Sequence, residues 1–299
     1  AELLSCGAKF DSSLSSQISA ALTVHMLAPK SVCAVNGSRV DIETSHRGKS
    51  AISTAADIVS SCAGKPYIYL YTSGDTLHMV RAPRLKISAS SSRRVPEKGN
   101  VCGDSTDFLY LKDGRFFMMI SDGMGRGKKA GTDSHAALDI TKKLLLSGFD
   151  TESTISMVNS VLVLKSSETA FATLDMVFID PVRAYADFYK SGAAPSFVKR
   201  GKKAFEISSE TLPAGVFDKT DVSKNSFRLS GGDIIFLASD GVITDRNREK
   251  IKDFIAKNNF STPESAANEL LSFAASSDGV HDDMTVLAAF RRISSLIAA

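Results

Sequence analysis

The chain has 299 residues, 43% of them hydrophobic and 23% charged, with a formal net charge of +3. That length and balance fit a globular chain of one large domain or two small ones. So small a net charge leaves no concentrated basic footprint for nucleic acid, and the most apolar early run, 18–28, is broken by Ser19, Thr23 and His25 and falls short of the ~20 residues of a membrane-spanning helix. Cys6, Cys33, Cys62 and Cys102 lie far apart with no Cys-x-x-Cys pair, which predicts free thiols in a reducing compartment. No stretch reads as a signal peptide.

Residues 1–98 differ in texture from the rest. A helix is predicted over 12–27. Val32 to Val35 reads as a short strand, ended by Asn36-Gly37 and paired with 39–44 as a hairpin. Lys49 to Cys62 is a predicted helix, with Ile52, Ala55, Ala56, Ile58 and Val59 apolar and Gly64 near its end. Strands 67–71 and 76–80 flank Thr72-Ser73-Gly74-Asp75, and 85–91 is a further strand. The polar stretch 88–98, with Arg93, Arg94 and Pro96, places a domain boundary near 95–100, giving segments 1–98 and 99–299. The alternative, with 85–95 already in the second domain's sheet, moves the boundary to about 83. The apolar helices of 1–98 need partners, which admits a homodimer.

Beyond residue 99, strands 108–111 and 115–120 flank Lys112-Asp113-Gly114, a hairpin signal. Helices follow at 126–147 and 151–165, separated by Ser147-Gly148. Strands 173–180 and 183–190 surround Pro181, and 196–199 and 203–207 surround Arg200-Gly201-Lys202. Strands 227–229 and 233–238 flank Ser230-Gly231-Gly232. Helices at 246–257 and 263–275 precede a last strand, 284–291. This order lacks the strand–helix alternation of a parallel sheet. It predicts an α+β fold with antiparallel sheets face to face and helices outside.

Acidic residues recur at the ends of these strands. Phe116-Phe117-Met118-Met119-Ile120 runs into Ser121-Asp122-Gly123-Met124-Gly125, and Ile234-Ile235-Phe236-Leu237-Ala238 into Ser239-Asp240-Gly241. Asp282-Asp283-Met284-Thr285 opens the last strand, and Asp104 sits in Gly103-Asp104-Ser105 upstream of the first. Carboxylates at strand ends, with no recurring His or Cys, describe an oxygen-ligand site suited to Mg²⁺ or Mn²⁺ rather than Zn²⁺. An Asp before Gly is also an ordinary turn residue, so each alone carries little weight. Asp175 and Asp180 read as strand and turn residues.

Gly-Asp, Ser-Asp-Gly-Met-Gly, Ser-Asp-Gly and Asp-Asp-Met-Thr in this order resemble the metal-dependent protein phosphatases of the protein phosphatase 2C fold. Ile120 to Gly127 and Lys190-Ser191-Gly192-Ala193-Ala194-Pro195-Ser196-Phe197 narrow the resemblance to their bacterial branch and the stage II sporulation protein E family, over about 99–291. The resemblance implies an αββα sandwich preceded by a smaller N-terminal α/β regulatory segment. It implies a serine/threonine phosphoprotein phosphatase holding two ions, Mn²⁺ or Mg²⁺. Asp122 would bridge them, Gly123 would give its carbonyl to one, Asp240 and Asp282 would bind the other, and Asp104 would reach a metal directly or through water. Asp283 would orient Asp282. The implied substrate is a phosphorylated anti-anti-sigma factor, and the implied setting a cytoplasmic fragment whose membrane-spanning part is absent. Relatives carry a phosphate-gripping Arg upstream of the first acidic motif. Here the nearest are Arg93 and Arg94, with Arg126, Lys128 and Lys129 as other candidates. A stress-response phosphatase of the same family and a binding module that lost catalysis are the competing expectations.

Overall fold

The computed structural model describes residues 9–35, 37–82, 85–96, 101–125, 127–165, 171–217 and 222–293. The chain divides into two compact units, Ala1–Arg84 with Leu111–Arg115, and Leu85–Tyr110 with Phe116–Ala299.

In the first unit, α1 (Ser12–Val24) and α2 (Lys49–Ala63) accompany strands β1 (Ser31–Val35), β2 (Arg39–Glu43), β3 (Tyr67–Ser73) and β4 (Thr76–Arg81). The strands form an antiparallel sheet in the order β1-β2-β4-β3. Asp11 caps α1, its side chain accepting from the Leu14 amide at 2.9 Å. The helix stops at Val24, short of the predicted 27, because Met26 turns to φ 59, where a side chain is strained. Gly64 ends α2 in the left-handed conformation. Strand alternation sends Ala34, Val40, Ile42, Leu77 and Met79 to one face, where Ile18, Leu22, Ala55, Ile58 and Val59 of the helices bury them. The packing need that suggested a homodimer is thus met within the unit. Asn36, expected in the first turn, lies outside the described residues.

The second unit contains β5 (Leu85–Arg94), β6 (Asp104–Tyr110), β7 (Phe116–Asp122), α3 (Gly127–Ser147), α4 (Thr151–Lys165), β8 (Leu174–Asp180), β9 (Tyr185–Ser191), β10 (Ser196–Arg200), β11 (Lys203–Ile207), β12 (Ser223–Arg228), β13 (Ile234–Ala238), α5 (Arg248–Lys257), α6 (Pro263–Asp278) and β14 (Met284–Ile293). Two five-stranded sheets run β11-β10-β13-β14-β5 and β12-β9-β8-β7-β6, and every pairing between these strands is antiparallel. Phe116, Met118, Ile120, Val177 and Phe188 of one sheet meet Val198, Ile235, Leu237 and Leu287 of the other in the inter-sheet core. The outer face of the β13 sheet, with Phe236, Val286 and Ala288, packs on Ile251, Ile255, Leu270 and Leu271 of α5 and α6. Helix α3 covers β6 and β7 on the other side. This is the αββα sandwich expected from the sequence.

Strand β5 pairs with β14 along its whole length, from Leu85↔Ile293 to Arg94↔Met284. In the structure the second unit takes in Leu85 to Arg94 as its edge strand. The polar stretch is a strand because its serines lie against α6, with the Ser92 hydroxyl donating to Asn268 at 2.7 Å. Residues 97–100, inside the expected boundary, lie outside the described residues.

Candidate functional site

Alternation along β7 carries Phe116, Met118 and Ile120 into the inter-sheet core and so puts Asp122 on that same face, at the strand's end. Asp104 is its direct cross-strand partner and shares the face. Asp104 is only 2% exposed, and neither carboxylate oxygen makes a hydrogen bond. The backbone of Asp122 is held at both polar groups: its amide donates to Thr173 Oγ1 at 2.9 Å, and its carbonyl accepts from the Thr173 amide at 2.8 Å. Gly123 follows, bridging to Ala172 and donating to the Gly103 carbonyl at 3.3 Å. A Cβ here would stand 2.0 Å from the Ala130 carbonyl oxygen, so the tight approach of α3 to the strand end requires glycine.

The other sheet supplies the opposite wall. Asp240 lies just past β13, and its loop is locked to the start of β14. The Ser239 amide donates to the Thr285 carbonyl at 3.0 Å, and the Thr285 amide donates to Ser239 Oγ at 2.9 Å. A Cβ on Gly241 would fall 2.1 Å from the Asp283 carbonyl oxygen and 3.4 Å from the Asp282 carbonyl carbon. Asp283 is buried, and its Oδ2 accepts from the Gly103 amide at 2.6 Å. Its own amide donates to Asp282 Oδ1 at 3.0 Å. Asp283 therefore braces the loop that carries Asp104.

Burial, then the carboxylates of Asp104 and Asp240, push Asp122 from 3.8 up to about 9. Burial also raises Asp104 to about 6. The hydroxyls of Thr285 and Ser239 oppose that shift without well-formed hydrogen bonds to it, and Asp283 and Asp240 add to it. The carboxylates of Asp104 and Asp240 both repel a charge on Asp122, so the bare cluster is electrostatically frustrated and must keep a proton or attract a cation. Among the described residues, no group of three or more His, Cys, Asp or Glu side chains is arranged so that it could hold a metal ion. The fit of a cation rests instead on the orphaned oxygens of Asp104, the mutual repulsion around Asp122 and a donor set made of oxygen alone.

The structure brings Asp104, Asp122, Gly123 and Asp240 together and puts Asp282 beside Gly241. Arg93, which read as part of a linker, is the cross-strand partner of Thr285 and donates to Thr106 Oγ1 at 3.4 Å. Lys128 and Lys129 are exposed in the first turn of α3. Arg126 lies outside the described residues. Thr173 and the bracing role of Asp283 were missed. The adjacent acids Asp282-Asp283 were a signal for the second; nothing in the sequence marks Thr173.

The family profile of stage II sporulation protein E (SpoIIE) matches residues 112–292. The chain belongs to the stage II sporulation protein E family. The SpoIIE protein of Bacillus subtilis (strain 168) is 31% identical over 209 residues, which are 68% of this chain and 25% of that protein. That of Priestia megaterium is 36% identical over 144 residues, 48% of this chain and 25% of that protein. The chain thus spans about a quarter of the length of the curated relatives it matches. The structure of the PP2C phosphatase domain and a fragment of the regulatory domain of B. subtilis SpoIIE aligns with a TM-score of 0.74 at 24% identity, covering 94% of this chain and 88% of that one. A second crystal form of that phosphatase domain, without domain swapping, aligns at 0.58 with 27% identity, covering 73% and 98%. RsbX, solved in complex with magnesium, shares the fold at a TM-score of 0.55 and 17% identity, covering 70% of this chain and 100% of its own. The second unit has the fold of a PP2C phosphatase domain. No helix among the described residues is long and apolar enough to cross a membrane.

Proposed function

We propose that this chain removes phosphate from serine or threonine of a phosphoprotein, using divalent cations held by Asp104, Asp122, the Gly123 carbonyl, Asp240 and Asp282. One observation carries the reading: a buried, hydrogen-bond-free Asp104 faces an Asp122 that burial, and then the neighbouring carboxylates, drive up to about 9. All-oxygen donors suit Mg²⁺ or Mn²⁺. Two such ions, when bound, supply charge neutralisation at the phosphate and an acidified water.

The chain's own part is placement. Asp122 stands between Asp104 and Asp240 and is the group suited to bridge. Gly123 offers a carbonyl unobstructed by a side chain. Asp240 approaches Asp122 from the other sheet, and the Ser239–Thr285 hydrogen bonds tie its loop to the start of β14, which Asp282 precedes. Arg93 shares its sheet face with Thr285, which supports it as a residue to meet the phosphate. Membership of the SpoIIE family supports a phosphorylated anti-anti-sigma factor as substrate, with sigma-factor activation as output.

Turnover of a phosphoserine protein by the purified chain with Mn²⁺ tests this. Activity is expected in the wild type, with loss on chelation. Asp240→Asn is expected to lower turnover at fixed Mn²⁺ by roughly 100-fold or more. Unchanged turnover removes Asp240 from the role.

A further inference from the structure

Lys190, Asp175 and Ser196 form a polar knot inside the sandwich, and the chemistry described so far makes no use of it. Their exposures are 0%, 2% and 0%. Lys190 Nζ lies 2.7 Å from Asp175 Oδ1 and donates to Ser196 Oγ at 2.7 Å, while Ser196 Oγ donates to Asp175 Oδ2 at 2.8 Å. Lys190 stands near the end of β9 in one sheet, and Ser196 opens β10 in the other. The knot therefore closes the corner 191–195, where the chain changes sheets, and Asp175 ties it to the neighbouring strand β8.

Burial pulls Lys190 below its ordinary value and pushes Asp175 above its own, their mutual attraction opposing both. A buried ion pair of this kind adds little net stability over apolar side chains of similar volume; what it fixes is geometry. Three chains of contact lead from that geometry to the acidic rim. Asp175 is the cross-strand partner of Ile120, and two residues earlier Thr173 holds both backbone polar groups of Asp122. Thr211 Oγ1 donates to the Lys190 carbonyl at 3.1 Å and Ser191 Oγ to the Leu212 carbonyl at 2.7 Å. The same segment continues to Ala214, which bridges Ala172, which bridges Gly123. Strand β10 pairs with β13, whose end delivers Asp240.

We propose that Lys190, Asp175 and Ser196 act as a positioning latch that sets the spacing between the two sheet ends, and so between Asp122 with Gly123 on one side and Asp240 on the other. The latch rests on the reading of that rim as a divalent-metal site.

The decisive variant is the triple change Lys190→Met, Asp175→Leu and Ser196→Ala, which removes the polar groups together and orphans none of them. Mn²⁺ binding to the full chain is measured by isothermal titration calorimetry, with thermal melting of the metal-free protein alongside. A melting point near or above that of the wild type is expected, with the Mn²⁺ dissociation constant raised tenfold or more. A purely structural knot would shift melting and leave the binding of a folded variant alone, so wild-type Mn²⁺ affinity in the triple variant overturns the latch. Should the triple variant not fold, Ser196→Ala alone, which deletes one hydroxyl, is expected to weaken Mn²⁺ binding two- to fivefold, and wild-type binding there overturns the latch equally. A wild-type chain that binds no Mn²⁺ overturns the metal reading itself, and the latch with it, an outcome distinct from a variant that merely matches the wild type.

Discussion

Asp122 is pressed against two other carboxylates in a position its own strand buries, and this makes the domain's stability a function of pH. Its ordinary value of 3.8 applies to the unfolded chain and about 9 to the folded one. Below about pH 4 both states hold the proton and nothing is lost. As pH rises, the unfolded chain releases the proton first, so unfolding is favoured progressively until the folded chain titrates as well. Asp104, raised to about 6, adds to the same slope in its lower part. The metal-free chain is therefore expected to lose urea resistance steadily between about pH 5 and 8.5, and Asp122→Asn should flatten that decline. A midpoint that rises across the range, or a decline the variant leaves unchanged, would contradict the repulsion. The four strand-end carboxylates could be found in the sequence because each is flanked by an apolar run and a glycine or a strand. Asp175 looked like any other strand residue, because its partners Lys190 and Ser196 reach it only through strand pairing and the change of sheet. Thr173 was hidden for the same reason.

At the scale of elements, the helices were legible from their apolar spacing and the hairpins from Asp-Gly and similar turns. The second helix after Asp122, α4, has a physical connection to Gly123. Asn159 on α4 is buried and holds the 214–217 loop from both ends of its amide. Nδ2 donates to the Phe217 carbonyl at 2.9 Å, and Oδ1 accepts from the Gly215 amide at 2.9 Å. Ala214, the neighbour of Gly215, bridges Ala172 and through it Gly123. Asn159→Ala leaves the buried Gly215 amide without its acceptor, at a cost of about 1–3 kcal/mol. Hydrogen exchange should show the effect as lost protection at Gly215 and Ala172 before the rest of the sheet opens. Unaltered protection at both amides would mean that α4 does not hold this loop. No sequence pattern announces such a residue: an Asn in mid-helix reads as neutral until its partners are known.

At the scale of the whole molecule, the composition of residues 88–98 hides the strand that runs to Arg94. Ser88, Ser90, Ser91 and Ser92 give 88–98 the look of a connector. They are a strand because β14 offers a continuous partner and small side chains let α6 lie close. The division at Leu85 then has a consequence for stability. A fragment 85–299 keeps β5, whereas 99–299 loses it and leaves β14 as a bare edge with Val286, Leu287, Ala288, Ala289 and Phe290 in sequence. Ile87, which β5 contributes to the inter-sheet core, is worth about 1.5–3 kcal/mol by its burial alone. An unpaired apolar edge also invites pairing between copies. The longer fragment is therefore expected to elute as a single compact species and to melt cooperatively, the shorter to melt several degrees lower and to associate with increasing concentration. Size-exclusion chromatography and thermal melting of the two side by side decide it. Equal melting points and equal elution would return the boundary to 99 and reduce β5 to an appendage of the sheet.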